Sequence, residues 1–592
     1  MRREGVTTMK TGAMFQHLVD LLEYRAWSQP DLELYTFLAD GERMEHKLTA
    51  AELRERSIAT AAALQQIGNP GEAVLLLYPP GIDFLIGFMG CAYAGMIAVP
   101  AYPPHLRKPT PRLAAIAKDT GSTIALSTHK MCEDVRESAL TGDHLSYLNG
   151  IRWLATDKLP AGPSWNPPSI DGNRVTFLQY TSGSTSSPKG VMVTHQNLLF
   201  NMSLIAKYFR LSPQTQGVSW LPAHHDMGLI GKLLMALNLG CKLTFMSPVS
   251  FMQKPLRWLQ AISRTQATYS GAPNFAFELC VAKFKEEAAE GLDLSRWATA
   301  FNGAEPVRSR TLEKFAACYA PYGFRAESLV PAYGLAEGTL YVSGCRRETA
   351  WRTIAVDSRS VQASTIQLVA PDAEYAQPLV SCGIVVPEQK LAIVDSASAK
   401  RLAEGAVGEI WVNGESVATG YWGRPEASEE TFQARIAGED DTAYLRTGDL
   451  GFTLDGELYV AGRMKDVIIV RGCNHYPQDI ELTTQQAHPA VKEDCVAAFV
   501  EQCEGEERLI IVAEINREYR VRGSRDESAA EGMKRLLAEV SAAVRQDVSN
   551  QHELTAHSVI LIRVGTIPKT SSGKIQRQYT KQLYEQGKLE TL

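Results

Sequence analysis

The sequence predicts an α/β protein built on largely parallel sheets. Two observations point there. Apolar, β-rich runs recur along most of the chain, and helical patterns separate them. At 592 residues the chain is too long for one compact core, so a large body with at least one further domain is expected.

The elements justify this class in order. The runs 73-AVLLLY-78, 97-IAV-99, 123-TIAL-126, 175-VTFLQY-180 and 242-KLTFM-246 read as buried strands. Helical patterns fall at 49–67, 194–209 and 255–265. The long uncharged run 84-FLIGFMGCAYAGMIAVPAY-102 reads as a Gly-rich helix leading into a strand, because its glycines and proline suit a membrane span poorly. Short strands with Gly turns follow at 405-GAVGEIWVNG-414 and 457-ELYVAG-462. The texture then changes near 462-GRMKDVIIVRG-472. A compact α+β set comes next: 467-VIIV-470, a helix opening at Pro477, strands 496-VAAFV-500 and 508-RLIIVAEI-515, a helix capped by Ser528 with Glu531, and a last strand 558-SVILIRV-564. The boundary is placed between Gly462 and Val467.

Composition narrows the function classes. The 45% hydrophobic and 21% charged fractions are those of a soluble globular protein. A net charge of −6, from 60 basic and 66 acidic residues, gives no basic footprint for nucleic acid. Ten cysteines without a C-x-x-C pair suit thiols in a reducing compartment, the N-terminus has no apolar signal segment, and a cytoplasmic location without a transmembrane segment is expected.

The loop 180-YTSGSTSSPKG-190 carries the first chemical signal. Backbone N–H groups in a Gly-rich turn converge on anions, Ser and Thr hydroxyls add donors, and Lys189 adds charge. The pattern G-x-x-x-x-G-K-S/T fails here, since Pro188 precedes Lys189 and Gly190 follows it. Local chemistry alone leaves a phosphate cradle and a plain flexible loop both open.

Five further stretches follow in order: 302-NGAEP-306, 333-YGLAEGT-339, 446-RTGDLG-451, 462-GRMKD-466 and 568-PKTSSGK-574. With the loop at 180–190 they resemble the motifs of the adenylate-forming superfamily of acyl-CoA synthetases, luciferases and peptide-synthetase adenylation domains. Within it the chain most resembles fatty acyl-AMP ligases, on 221-LPAHHDMGLIG-231, on 379-LVSCGIVVPEQKLAIVD-395 and on a long segment at 345–378. The resemblance implies a large N-terminal body of mixed sheets flanked by helices, over residues 1–464, with a small β-barrel-like subdomain and an insertion at about 345–378. It implies a small mobile α+β domain over residues 465–592, hinged at Lys465.

The resemblance further implies activation of a fatty acid by ATP, with Mg²⁺, to acyl-adenylate and pyrophosphate. The acyl group would pass to the phosphopantetheine of a separate acyl carrier protein or of a polyketide or peptide synthase carrier domain. Lys574 is expected to bridge the carboxylate and the α-phosphate, and Glu337 to hold Mg²⁺. Thr181, Ser182, Gly183, Ser184, Thr185 and Lys189 are expected around the phosphates. Gly303, Ala304, Glu305, Tyr333 and Gly334 are expected around adenine, with Tyr333 stacked on it. Asp449 is expected at the ribose, with Arg463 beside it, and His225 at the mouth of the acyl tunnel. Taken alone, each also suits a plainer role: Lys574 an exposed lysine, Glu337 a helix-start acid, Tyr333 a core ring, Asp449 a turn residue, Arg463 a tie between domains, His225 a structural histidine. Ala336 stands where many relatives of the superfamily have threonine, so one hydroxyl expected near the α-phosphate is missing. Ser186 replaces a common glycine. The insertion's apolar residues Trp351, Ile354, Val356, Val361, Ile366, Leu368 and Val369 predict that it is folded. An acyl-CoA synthetase, an amino-acid adenylating enzyme and an inactive nucleotide-binding scaffold are the alternatives.

Overall fold

The computed structural model describes residues 15–107, 110–139, 143–160, 164–180, 188–345, 350–470, 473–503, 506–519, 527–552, 554–570 and 573–592. Two large sheets make the body. In the first, the strands Arg152–Ala155, Ile124–Ser127, Ala73–Leu76, Ile97–Pro100 and Val175–Tyr180 run parallel in that order, and Gly190–Thr194 closes the edge antiparallel. These strands are continuous apolar runs because helices cover their faces. The helix Asp83–Ala94 is buried from Phe84 through Ala94, as the run at 84–102 predicts, and Ile97–Pro100 is the strand that follows it. Ala50–Gln65 packs beside it, opened by a reciprocal cap between Thr49 and Glu52.

The second sheet has two halves. Leu329–Gly334, Thr299–Asn302, Tyr269–Ala272, Gln216–Ser219, Lys242–Met246 and Glu33–Leu38 are parallel, with Glu45–Thr49 antiparallel at the edge. Beyond Leu329–Gly334 the ladder turns antiparallel through Tyr341–Gly344, Ile384–Val385, Glu457–Arg463, Leu445–Leu454, Gly408–Asn413, Lys390–Asp395 and Lys400–Arg401. This antiparallel stretch occupies the place of the expected barrel-like subdomain, and its ladder stays open among the described residues. The helix His195–Tyr208 is tied to the turn after Leu329–Gly334 by Asn201. That buried amide donates to the Tyr341 carbonyl and the Ser416 hydroxyl, each at 2.9 Å, and accepts from the Tyr341 N–H at 3.1 Å.

From Ile468 onward the chain has its own core. Val491–Cys503 and Glu506–Ile515 pair antiparallel, and Ala556–Arg563 adds in parallel. The helix Glu527–His552 lays Val540, Val544 and Val548 on this sheet, all fully buried at one-turn spacing. Each contributes about 1.5–3 kcal/mol by burial. Ser528 is already helical, with Glu527 helical before it, so it is not the cap that its spacing with Glu531 suggests. Helix propensity continues through Glu527, and the chain has no reason to stop at the serine.

The insertion is folded. Thr353–Asp357 and Ala376–Val380 form an antiparallel hairpin carrying the short helix Ser358–Gln362. Ile354, Val356 and Val361 are buried with Phe452, Tyr459 and Tyr476. Leu368 departs from the expectation: it is 56% exposed, because the hairpin's one buried face is already filled by the other anchors.

Candidate active site

The body and the C-terminal unit enclose a cleft of about 1850 Å³. Its floor is the set of strand ends expected for ligand binding in an open α/β sheet. Where Thr299–Asn302 ends, the chain turns through Gly303 and Ala304. A Cβ on Gly303 would sit 2.7 Å from the Ala332 carbonyl oxygen, and one on Gly334 would sit 1.7 Å from that of Leu340. Both positions therefore require glycine. Ala304 takes a φ of 69°, a left-handed conformation that a bulkier or branched residue would resist.

One wall is built around Asp449, buried in the strand Leu445–Leu454. The Tyr333 hydroxyl donates to Asp449 Oδ2 at 2.7 Å and Arg463 Nε donates to Oδ1 at 3.0 Å. The Asp449–Arg463 pair is also a strand register pair, so sheet geometry fixes it. The aspartate is thus a doubly engaged acceptor held at the cleft wall, with a basic residue beside it.

Lys574 reaches the same cleft from the C-terminal unit. Its loop is closed by the bridge Lys569–Ile575, by Lys574 N–H donating to Thr570 Oγ1 at 3.0 Å, and by Thr570 N–H donating to the Lys574 carbonyl at 2.7 Å. Gly573 precedes it with φ of 88°, and a Cβ there would meet the Phe275 ring at 2.6 Å. The loop is thus seated on the body, ring against bare backbone. Burial, then Arg463, lowers the Lys574 pKa, while Glu305, Asp226 and Asp449 partly restore it. A lysine among three acidic side chains from separate elements is a preorganised positive centre.

Glu305 accepts from the Phe275 N–H at 2.6 Å, and burial pushes its carboxyl up to about 7. Glu337 sits in the short turn Ala336–Gly338 and accepts from the Tyr421 hydroxyl at 2.9 Å. Burial raises its pKa as well. Lys189 Nζ lies 4.5 Å from the centroid of the Tyr421 ring. Burial and the charge of Lys465 both lower the Lys189 pKa, so Lys189, Lys465 and Glu337 share one corner of the cleft. On the opposite side, His225 Nδ1 stands 2.6 Å from Asp226 Oδ1. Burial alone would raise Asp226, but His225 and Lys574 hold it below its usual range. Beyond His225 the cleft continues between apolar walls that include Ile205, Phe209, Tyr269 and Phe301.

The structure therefore gathers Lys189, His225, Gly303, Ala304, Glu305, Tyr333, Gly334, Glu337, Asp449, Arg463, Lys465 and Lys574 around one cavity. Thr181, Ser182, Gly183, Ser184 and Thr185 lie outside the described residues, as does Ser186; the strands Val175–Tyr180 and Gly190–Thr194 that flank them pair in register from Tyr180 to Gly190. Sequence reasoning misses Phe275 and Tyr421. Each acts through a contact made far along the chain, and nothing in spacing announces it.

Comparison with known proteins agrees with this geometry. The family described as AMP-binding enzyme matches residues 22–422, and the one described as Disco-interacting protein 2-like, AMP domain, matches residues 465–592. The chain is 42% identical over 585 residues to the medium-chain-fatty-acid–acyl-carrier-protein ligase JamA of Moorena producens, covering 97% of this chain and 96% of that protein. It is 36% identical to the long-chain-fatty-acid–AMP ligase FadD32 of Mycolicibacterium smegmatis, covering 93% and 91% of the two chains. The crystal structure of a fatty acyl-adenylate ligase from L. pneumophila, in complex with acyl adenylate and pyrophosphate, superposes with a TM-score of 0.75 at 38% identity, covering 98% of each chain.

Proposed function

The chain belongs to the AMP-binding enzyme family, and from that premise we propose that it is a fatty acyl-AMP ligase that hands its product to a carrier protein. The fatty carboxylate attacks the α-phosphorus of ATP, the bond from that phosphorus to the bridging oxygen breaks, and pyrophosphate leaves. Both reactants are anions, so positioning and neutralisation carry the catalysis. Lys574 serves both: it meets the carboxylate and the α-phosphate together at the point where their charge changes. The observation that carries this reading is that a C-terminal lysine is seated in the cleft among Asp226, Glu305 and Asp449.

Asp449 accepts from the ribose hydroxyls, Arg463 steadies it, and the backbone of Gly303 and Gly334 allows close approach of the purine beside Tyr333. His225, oriented by Asp226, stands where the carboxyl end of the chain enters. Glu337 fits a Mg²⁺ ion: it is a hard oxygen donor whose pKa is raised by burial and by the charge of Asp449, so a bound cation would favour its ionised form. Mg²⁺ would offset the charge of the phosphates. Lys189, with the hydroxyl-rich loop before it, faces the leaving pyrophosphate.

The boundary lies at residues 464–465, and the C-terminal domain turns about Lys465 between adenylation and release to the acceptor thiol. The insertion restrains that turn. Its hairpin packs with Tyr476, and Gln377 Nε2 donates to Asp479 Oδ2 at 3.0 Å, so it touches both sides of the boundary. The acceptor is then the phosphopantetheine of a separate acyl carrier protein, or of a polyketide or peptide synthase carrier domain, and not free CoA. The test is mass spectrometry of products from a ladder of fatty acids with ATP and Mg²⁺, alone, with CoA, and with a phosphopantetheinylated carrier. Acyl-AMP in every arm and acyl-carrier in the third are expected. Abundant acyl-CoA would overturn the acceptor, and no acyl-AMP from any acid would overturn the reaction.

A further inference from the structure

One short segment of the body touches both Lys189 and Glu337, and the reaction above gives it no part. Residues 418–422 run alongside the strand Gly190–Thr194. The Met192 N–H donates to the Gly420 carbonyl at 2.9 Å, and the Trp422 N–H donates to that of Gly190 at 2.8 Å. Gly190 directly follows Lys189, so this pairing fixes where the lysine leaves the backbone. At its other end the segment holds the acidic turn: the Ala418 N–H donates to the Glu337 carbonyl at 2.9 Å. Main-chain bonds thus tie the bases of both side chains to one strip of backbone.

Tyr421, within that strip, reaches their tips. It is buried and lines the cleft. Its hydroxyl donates to Glu337 Oε1 at 2.9 Å. Its ring centroid lies 4.5 Å from Lys189 Nζ, and Phe432 packs edge-on against the same ring at 5.1 Å. The hydroxyl engages one carboxyl oxygen and so fixes the rotation of the group, while the remaining lone pairs stay available to a hard cation. The ring attracts the ammonium without taking up its N–H bonds. The charge of Glu337 is felt at Lys189, yet among the described residues the two form no ion pair. A shared phenol holds each by a contact weaker than a direct ion pair, and leaves both free to meet a ligand. A phenylalanine would fill the same space, so packing alone does not call for the hydroxyl.

Resting on the reading of the cleft as an acyl-AMP ligase site, we propose that Tyr421 is a positioning residue for the Mg²⁺–pyrophosphate end of ATP: its hydroxyl aims Glu337 at the cation, and its ring holds Lys189 at the phosphates. The two roles belong to different atoms of one side chain and are separable by substitution.

The experiment uses the full chain. It reads pyrophosphate release over a range of Mg²⁺ at saturating ATP and fatty acid, and the rise in melting temperature on adding ATP with EDTA or with Mg²⁺. Tyr421→Phe keeps the ring. It should raise the Mg²⁺ concentration for half-maximal rate about 10–100-fold and shrink the Mg²⁺-dependent part of the thermal shift. The shift with ATP in EDTA should stay at its wild-type size. Tyr421→Leu should shrink both parts. Added to Glu337→Gln, Tyr421→Phe should leave the Mg²⁺-dependent part of the shift where Glu337→Gln alone puts it, because its target is already gone. Wild-type Mg²⁺ dependence in Tyr421→Phe, or an additive loss in the double variant, would overturn the role. So would equally lowered melting temperatures in both single variants with wild-type responses to ATP and Mg²⁺, the outcome of core packing alone. A wild type that makes no acyl-AMP from any fatty acid but keeps the Tyr421-dependent shifts would overturn the reaction and retain the role. A wild type with neither turnover nor shift would overturn both.

Discussion

Lys574 and the two groups that seat it, Gly573 and Phe275, decide whether the site is armed. Lys574→Ala should lower kcat for acyl-AMP formation by about 10²–10³-fold with little change in the apparent affinity for ATP, measured by pyrophosphate release. Gly573→Ala tests the seating separately. The new methyl would meet the Phe275 ring at 2.6 Å and sit at a φ of 88°, so it should lower kcat while leaving the lysine itself intact. Phe275→Ala in the same chain should recover part of that loss, because it removes the clash but not the backbone strain. Only half of this arrangement is legible from sequence. The lysine stands in a stretch, 568-PKTSSGK-574, whose pattern marks it. Phe275 sits in 273-PNFAF-277, an ordinary apolar helix start, and its role exists only once two distant parts of the chain meet.

At the scale of elements, the strands of the first sheet are legible because each is a short apolar run with nothing polar to accommodate. Val175–Tyr180 and Lys242–Met246 match their apolar runs end to end. Helix ends are less so, as Ser528 illustrates, because a capping pair and a first-turn pair look alike in a linear string. What sequence reading does not reveal is how elements are fastened. Asn201, on a helix that sequence locates well, holds the turn bearing Glu337 through the Gly338 and Tyr341 carbonyls and the Ser416 hydroxyl. Asn201→Leu should cost about 1–3 kcal/mol, since it strands those buried acceptors. A melting scan should show the loss, and the Mg²⁺ concentration needed for half-maximal rate should rise as the Glu337 turn loosens.

For the whole molecule, the docked pose is predicted to depend on pH. Where the C-terminal unit meets the body, Glu278 lies beside Asp494, and Arg308 Nη1 donates to Asp494 Oδ1 at 3.3 Å. Burial, with Asp494 nearby, pushes Glu278 from 4.5 up to about 8. A raised carboxyl binds its proton more tightly in the docked pose than when apart. Its contribution is therefore complete below pH 4.5 and lost as pH rises through about 8. Burial pushes Glu305 and Asp479 up to about 7, and both act in the same direction. Limited proteolysis near Lys465 should accordingly be slower at mildly acidic than at alkaline pH. Glu278→Gln should flatten this trend and isolate it from Lys574, whose lowered pKa works in the opposite sense. The notch where Gly573 admits the Phe275 ring has a further consequence for recombination. A C-terminal segment borrowed from a homologue can serve this body only if it brings an unsubstituted α-carbon to that ring. Compatibility of such chimaeras should thus be scored on one steric match before overall resemblance.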